Sequence, residues 1–461
     1  MKQLFTVAEI MAVTGGRLLQ GSPAAPVYGF AYDSRKVRPG DCFVAMPGER
    51  VDGHDYAARA AESGATCILV GRSVAARGTA LVEVPDPLLA LGQLGRYHRE
   101  RYGVKVVGVT GSVGKTTTKE MVGAVLERRF QVFRSKGNFN SEVGLPITLM
   151  DLDETPEVAV LEMGMRALGE IEYLVSIACP SIGVVTNVGV THLELLGTQA
   201  NIARAKGELV RGLPPEGAAV LNADDPLVAA MAATSPCKVW FYGLDAAAGK
   251  GERWVTAREI RREGESGQRF TLVTPTGETE AYLPAPGRHN VLNACAAAAV
   301  GLELGMSLAE VAEGIAGYAP SGSRMRIINT GGVRLLDDTY NAAPASMIAA
   351  LGVLRELAGS EGRTIAVLAD MFELGAAAVE GHLQVGAEAG RLADVVVTVG
   401  DLSQHIAEAA GNKARHFAAK AEAIELLKQL VQTGDTILVK GSRGMAMEEI
   451  IAALEQHLGA V

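Results

Sequence analysis

Long apolar runs are missing from this 461-residue chain. No stretch approaches the ~18 uninterrupted apolar residues of a membrane span, so no membrane insertion is expected. The start, Met1-Lys2-Gln3-Leu4-Phe5, lacks the long apolar core of a signal peptide, and a cytoplasmic location is the expectation. Cysteines are few: Cys42, Cys67, Cys179, Cys237 and Cys295 are dispersed with no Cys-x-x-Cys pair, so neither a disulfide framework nor a zinc site is indicated. A basic surplus is also absent. The net charge of −9 argues against a general nucleic-acid binder, so an anionic ligand must be held by local basic residues. Aromatic residues make up only 5% beside 54 glycines, a balance that suits an α/β enzyme with many tight turns better than a β-sandwich. Internal repeats and low-complexity tracts are lacking too.

What is present centres on Val106-Val107-Gly108-Val109-Thr110-Gly111-Ser112-Val113-Gly114-Lys115-Thr116-Thr117-Thr118. An apolar strand breaks into a glycine turn and then a helix. Gly111 and Gly114 free the backbone to curl its N–H groups around phosphate oxygens, Lys115 adds a positive charge at a helix start, and Thr116 is the natural Mg²⁺ ligand. Val109 stands where the strict spacing has glycine, so the motif is a variant. Met121, Val122, Val125 and Leu126 give the following helix one apolar face, as a phosphate loop requires.

At about 150 residues per domain the length suggests three domains. Residues 1–84 read as a small α/β domain with strands at Cys42 to Met46, Thr66 to Val70 and Ala80 to Val84 and a helix from His54 to Ser63. Pro85-Asp86-Pro87 closes it and presets a new helix. Its loops Asp33-Ser34-Arg35 and Pro47 to His54 could present donors to a ligand or be solvated turns. Residues 85–319 carry the phosphate loop and buried strands at Val158 to Leu161, Ile182 to Thr186 and Ala218 to Leu221, whose near-continuous apolar runs belong in a parallel sheet. Each ends in a polar residue (Glu162, Asn187, Asn222) at the strand ends where ligands of open α/β sheets bind. Lys238 to Leu283 reads as an antiparallel flap, followed by one alanine-rich helix ending near Tyr318. In residues 320–461, strands at Val333 to Asp337, Thr364 to Ala369, Val395 to Val399 and Thr436 to Lys440 alternate with helices. That alternation predicts a doubly wound, Rossmann-like sheet, and the absence of Gly-x-Gly-x-x-Gly in it speaks against a nicotinamide or flavin site.

A phosphate loop says nucleotide without saying which reaction, so its companions matter. Glu162 closes a buried strand and His192 follows the next, where a second Mg²⁺ could be held. Without the phosphate loop nearby, a core or capping role would be the plainer account of His192. Lys206 shares a helix with Ile202, Leu209 and Val210, and a solvated helix face is its ordinary reading.

Six segments, Thr110 to Thr117, Gly137-Asn138-Phe139-Asn140, Leu161-Glu162-Met163-Gly164, Asn187 to Leu193, Ala205-Lys206-Gly207-Glu208 and Asn222-Ala223-Asp224-Asp225-Pro226, resemble the Mur ligase family of peptidoglycan synthesis in order and spacing. Gly287 to Asn293, Asp337 to Ala342, Met371 to Gly375 and Val439 to Arg443 resemble its dipeptide-adding branch. The likeness spans essentially the whole chain, and the flap between Cys237 and Leu283 carries no motif of it. The resemblance implies an ATP-dependent peptide ligase that joins UDP-N-acetylmuramoyl-tripeptide to D-alanyl-D-alanine through an acyl phosphate. Its domains would recognise the UDP-sugar, bind ATP and receive the amine, in that order. It implies ATP contacts from Thr110, Gly111, Ser112, Val113, Gly114, Lys115, Thr116, Thr117, Asn293, Arg324 and Asp338. Two Mg²⁺ would be served by Thr116, Glu162, His192 and Lys206, the last as a carbamate, with Lys115, His192 and Lys206 catalytic. Ser34, Arg35, Asn138, Asn140, Asn341, Lys440 and Arg443 would bind the substrates, and a monomer is expected. A single-amino-acid-adding Mur ligase or a folylpolyglutamate synthase is the nearest alternative. The Asp33-Ser34-Arg35 and Gly48-Glu49-Arg50 loops speak against the folate enzyme. A nucleotide-driven switch protein is the alternative from another class, and would turn over ATP without a carboxylate substrate.

Overall fold

The computed structural model describes residues 2–48, 51–264, 267–320, 322–360 and 362–459. Glu49 and Arg50, from a loop singled out above, and Ser321 lie outside them. The chain divides into two compact units, Met1–Gly108 with Phe130–Met165 and Gly169–Ser181, and Val109–Arg129 with Arg166–Leu168 and Ile182–Val461. Among the described residues no helix is long and apolar enough to cross a membrane.

In the first unit a five-stranded sheet runs in the order Arg17–Gln20, Ala80–Glu83, Cys67–Val70, Asp41–Val44, Gly29–Ala31, parallel except for its first strand. The helix expected from His54 is a 3₁₀ turn, Gly53–Tyr56, followed by a short α-helix, Ala57–Glu62. Asp52 sets this entry by accepting the His54 N–H at 2.9 Å. The helix Pro87–Glu100 starts where the side chain of Asp86 takes the Leu88 and Leu89 N–H groups and Pro87 needs no donor of its own. Its Leu91 and Leu94 are buried with Phe5, Ile10, Val44 and Leu69. Each such leucine contributes about 1.5–3 kcal/mol by leaving water. This unit also holds the parallel strands Val132–Arg134 and Val158–Glu162.

In the second unit Ile182–Val185, Ala218–Asn222, Lys238–Tyr242 and Trp254–Glu263 pair in parallel, one after the next. Lys238–Tyr242 therefore belongs to the parallel sheet, a correction to the flap expected from Lys238. The antiparallel ribbon is Trp254–Glu263, Gly267–Thr274 and Gly277–Leu283, turning at Pro275-Thr276 as expected. The single alanine-rich helix is also corrected. It is two helices, Arg288–Glu303 and Leu308–Ala316, broken at Gly305 (φ +80°) and restarted by a capping box between Ser307 and Glu310.

A six-stranded sheet completes this unit in the order Arg326–Thr330, Val333–Asp337, Thr436–Lys440, Thr364–Ala369, Val395–Val399, Ala414–Phe417. Only the first pairing is antiparallel. Helices carrying Met347, Leu351, Leu354 and Val385 cover one face and helices carrying Leu427, Ile450 and Leu454 the other, which makes the sheet doubly wound as expected.

Candidate active site

The strand Lys105–Thr110 runs into the glycine turn and the helix Lys115–Leu126. Gly111 has φ +149°, and a Cβ there would lie 1.8 Å from Thr186 Oγ1. Gly114, at φ +85°, precedes the helix and has no side chain to cap it. The turn is thus a cradle of backbone that a side chain would fill, with the positive end of a helix behind it. Lys115 Nζ reaches the carbonyl of Gly111 at 2.8 Å and that of Ser112 at 3.3 Å.

The next strand end fastens this loop. Asn187 grips Val113 from both sides, accepting its N–H at 2.9 Å and donating to its carbonyl at 2.9 Å. Thr186 Oγ1 donates to the same carbonyl at 2.7 Å, and Gly189 N–H donates to Ser112 Oγ at 2.9 Å. Behind them Asn222 donates to the Thr186 carbonyl at 2.8 Å, and Asp225 accepts the Val188 N–H at 2.7 Å. Asn187 and Asn222 are legible in the sequence as polar strand ends, but their work of clamping the loop is not. Asn293 is brought to the same place, its Oδ1 accepting from Thr118 Oγ1 at 3.2 Å and lying 3.2 Å from a Cβ built on Gly114. Gln268, from the ribbon in which no motif was found, donates to the carbonyls of Ala285 and Gly287 and so holds the turn that starts the Asn293 helix.

Lys206 departs from the solvated face that its helix composition suggests. It is 2% exposed on the helix Gln199–Arg211, beside buried Ile202, Leu209 and Val210. Burial pushes its ammonium well below the usual lysine range, and the charge of Lys115 adds to the push. Among the described residues no carboxylate forms an ion pair with it. His192 sits at φ +67°, its Nδ1 2.7 Å from Glu373 Oε2. The contact is close without being in line as a hydrogen bond, so its strength depends on charge. It holds the Glu373 carboxyl below the usual range against partial burial, and Arg166 and Lys115 lower it further. Glu373 lies in the Met371 to Gly375 turn and carries no expected role of its own.

Asp338 is the hub of a second group. Its Oδ1 accepts the Met325 N–H at 3.1 Å and its Oδ2 lies 2.6 Å from Lys440 Nζ, which also donates to the Asn341 carbonyl at 2.8 Å. Lys440 and Asp338 are 4% and 14% exposed, so this ion pair is shielded. Arg324, one residue before Met325, lies 3.7 Å over the ring of Tyr340. The structure thereby brings Arg324, Asp338, Asn341 and Lys440 together. Arg443 lies nearby in sequence, but its guanidinium pairs with Glu448 at 2.7 Å on the surface.

In the first unit Ser34 is buried in a 3₁₀ turn. Arg35 is folded back on Asp33 through two contacts of 2.9 and 2.8 Å, which pull the Asp33 carboxyl down to about 2. Next to this turn a cavity of about 460 Å³ is lined by residues including Tyr28, Tyr32, Asp33, Lys36 and Phe139. Asn140 donates to Glu162 Oε1 at 2.7 Å, while Asn138 accepts the Asn140 N–H on its carbonyl at 2.8 Å. Glu162 itself is 4% exposed at the end of its strand.

Among the described residues no three or more His, Cys, Asp or Glu side chains cluster as a preformed cation cage.

Comparison with known proteins adds the family. The N-terminal segment 26–99 matches the Mur ligase family catalytic domain, 109–301 the Mur ligase middle domain and 323–443 the Mur ligase glutamate ligase domain. The chain is 39% identical over 458 residues to the UDP-N-acetylmuramoyl-tripeptide–D-alanyl-D-alanine ligase of Escherichia coli, covering 98% of each chain. A crystal structure of MurF from Acinetobacter baumannii superposes with a TM-score of 0.90 at 34% identity, over 98% of this chain and 99% of that one. MurF ligase from Thermotoga maritima, solved in complex with ADP, superposes with a TM-score of 0.84 at 28% identity, over 94% and 98%. With three matched segments in order and full-length relatives at this identity, the chain belongs to the Mur ligase family.

Proposed function

We propose that this protein is an ATP-dependent ligase that joins the terminal carboxylate of UDP-N-acetylmuramoyl-tripeptide to the amine of D-alanyl-D-alanine, releasing ADP and phosphate. The observation that carries the reading is end-to-end similarity to ligases of that name, 39% over 98% of both chains in the Escherichia coli case. The glycine cradle and the buried, paired residues around it supply the chemistry. A carboxylate is a poor electrophile, so the γ-phosphoryl group of ATP is first transferred to it. The amine nitrogen then attacks the acyl carbon, phosphate leaves with the bonding pair, and the nitrogen sheds a proton. Little of this needs covalent help from the protein, and catalysis rests on positioning and charge.

In this reading the backbone of Thr110 to Thr117 wraps the phosphates and Lys115 offsets charge on the transferring group. Asn293, Arg324 and Asp338 serve the nucleotide. Thr116, Glu162 and His192 are hard or borderline donors suited to Mg²⁺, which when bound would neutralise phosphate charge. Lys206 joins them as a carbamate: its neutral amine adds to carbon dioxide, releases a proton and becomes a carboxylate. Its burial supports this, because burial disfavours the ammonium and favours the neutral amine that adds to carbon dioxide. Ser34, Arg35, Asn138 and Asn140 bind the UDP-linked substrate, and Asn341, Lys440 and Arg443 shape the amine site. We assign residues 1–84 to UDP-sugar recognition, 85–319 to ATP and 320–461 to the incoming amine, in a cytoplasmic monomer.

The test is phosphate release with UDP-tripeptide and ATP fixed while the amine is varied among D-alanyl-D-alanine, D-alanine, L-alanine and L-glutamate. A pocket built for the dipeptide leaves polar groups unpaired around a single residue, at about 1–3 kcal/mol each, so a hundredfold preference for the dipeptide is expected. Comparable rates with D-alanine, or a preference for L-glutamate, would move the protein to another ligase of the family. ATP turnover that ignores the carboxylate substrate would favour the switch protein.

A further inference from the structure

Six non-glycine residues among those described have positive φ, and two of them, His192 (+67°) and Glu373 (+63°), touch each other. Strained backbone of this kind persists where the surroundings hold it, and it gathers at functional sites. Here the surroundings are visible on both sides of Glu373. Met371 N–H donates to His382 Nε2 at 3.0 Å, and Phe372 N–H donates to Ser442 Oγ at 2.9 Å. Gly375 is packed so closely that a Cβ on it would lie 2.8 Å from Glu194 Cα, two residues past His192. The turn bearing Glu373 is thus fixed to its own sheet at one end and to the His192 turn at the other. A surface ion pair needs none of this, and the 46% exposure of Glu373 would make such a pair worth little for stability.

We propose that Glu373 is the positioning residue of His192. Its carboxylate lies 2.7 Å from Nδ1, and that negative charge favours the proton on Nδ1 over Nε2, leaving the Nε2 lone pair for a divalent cation. Carboxylates behind ligating histidines act in this way, setting tautomer and basicity. Gly189, three residues before His192, donates its N–H to Ser112 Oγ at 2.9 Å, which ties the His192 turn to the phosphate loop. The inference rests on the reading above that His192 serves the cation.

The experiment compares full-length wild type, Glu373→Gln and His192→Ala in Mn²⁺ titrations with ADP present, following the free-ion electron paramagnetic resonance signal. Steady-state kinetics and melting temperatures accompany them. Glu373→Gln is expected to weaken Mn²⁺ binding about tenfold or more. It should also raise the Mg²⁺ concentration needed for half-maximal turnover, leave the KM for D-alanyl-D-alanine within twofold, and keep the melting temperature. Unchanged Mn²⁺ affinity in Glu373→Gln, with His192→Ala impaired, would overturn the proposal alone. Unchanged affinity in His192→Ala would overturn the cation reading of His192 as well. Loss of affinity that follows a lowered melting temperature would assign Glu373 to packing and also overturn it.

Discussion

Replacing Gly111 by alanine tests the phosphate cradle most directly. The new Cβ would sit 1.8 Å from Thr186 Oγ1, about half the ordinary carbon–oxygen contact, so the loop or Thr186 must move. Moving Thr186 breaks its 2.7 Å bond to the Val113 carbonyl, which contributes about 0.5–1.5 kcal/mol. The φ of +149° adds backbone strain of about 1–3 kcal/mol for a residue with a Cβ. Together these come to about 2–4 kcal/mol, which falls on nucleotide binding where the loop must shift to relieve it. At about 1.4 kcal/mol per factor of ten, kcat/KM for ATP should fall between thirtyfold and several hundredfold. The assay is phosphate release against ATP concentration, with binding of the UDP-linked substrate measured in parallel and expected to hold. Adding Thr186→Ala removes the clashing oxygen and should recover part of the loss if contact dominates, and none if φ does. An alanine variant within threefold of wild type in kcat/KM would show that the backbone of this turn does not cradle the phosphates.

Lys206→Ala should nearly abolish turnover, and short carboxylic acids added to it should restore part of the activity by standing in for the carbamate; a correctly folded variant that no acid rescues would count against carbamylation. His98 and His382 are fully buried and held below the usual histidine range chiefly by that burial, so both resist protonation in the fold. Their contribution is therefore complete above about pH 6.5, where the unfolded chain is neutral too, and is lost as pH falls and the unfolded histidines take up protons. Urea midpoints should drop between pH 7.5 and 5.5, less so in His382→Gln; a flat profile in wild type would refute the assignment. Asp338→Ala strips the shielded Lys440 of its partner and frees the Met325 N–H, and breaking such a pair costs about 3–5 kcal/mol. It should lower the melting temperature and raise the KM for ATP through Arg324. A variant with wild-type melting and ATP dependence would show that Asp338 is not the hub described.

Much of the fold was legible because its strands are buried on both faces. Val333–Asp337, Thr364–Ala369, Val395–Val399 and Thr436–Lys440 are near-continuous apolar runs, and they lie in the structure where the sequence puts them. The edge strands Arg17–Gln20, Arg326–Thr330 and Ala414–Phe417 were not legible, since they are only half covered and carry arginine, asparagine and histidine outward. The glycine turn declared itself through local rules, because positive φ and close approach demand glycine whatever surrounds them. Local sequence could not say that Lys206 is buried, since helical spacing describes one helix and not what packs on it. Nor could it pair His192 with Glu373 or hang Arg324, Asn341 and Lys440 on Asp338. Those contacts join segments far apart in the chain, and only the packing of sheets and turns into one unit brings their charges within a few ångströms, where burial and Coulomb interaction give them their chemistry.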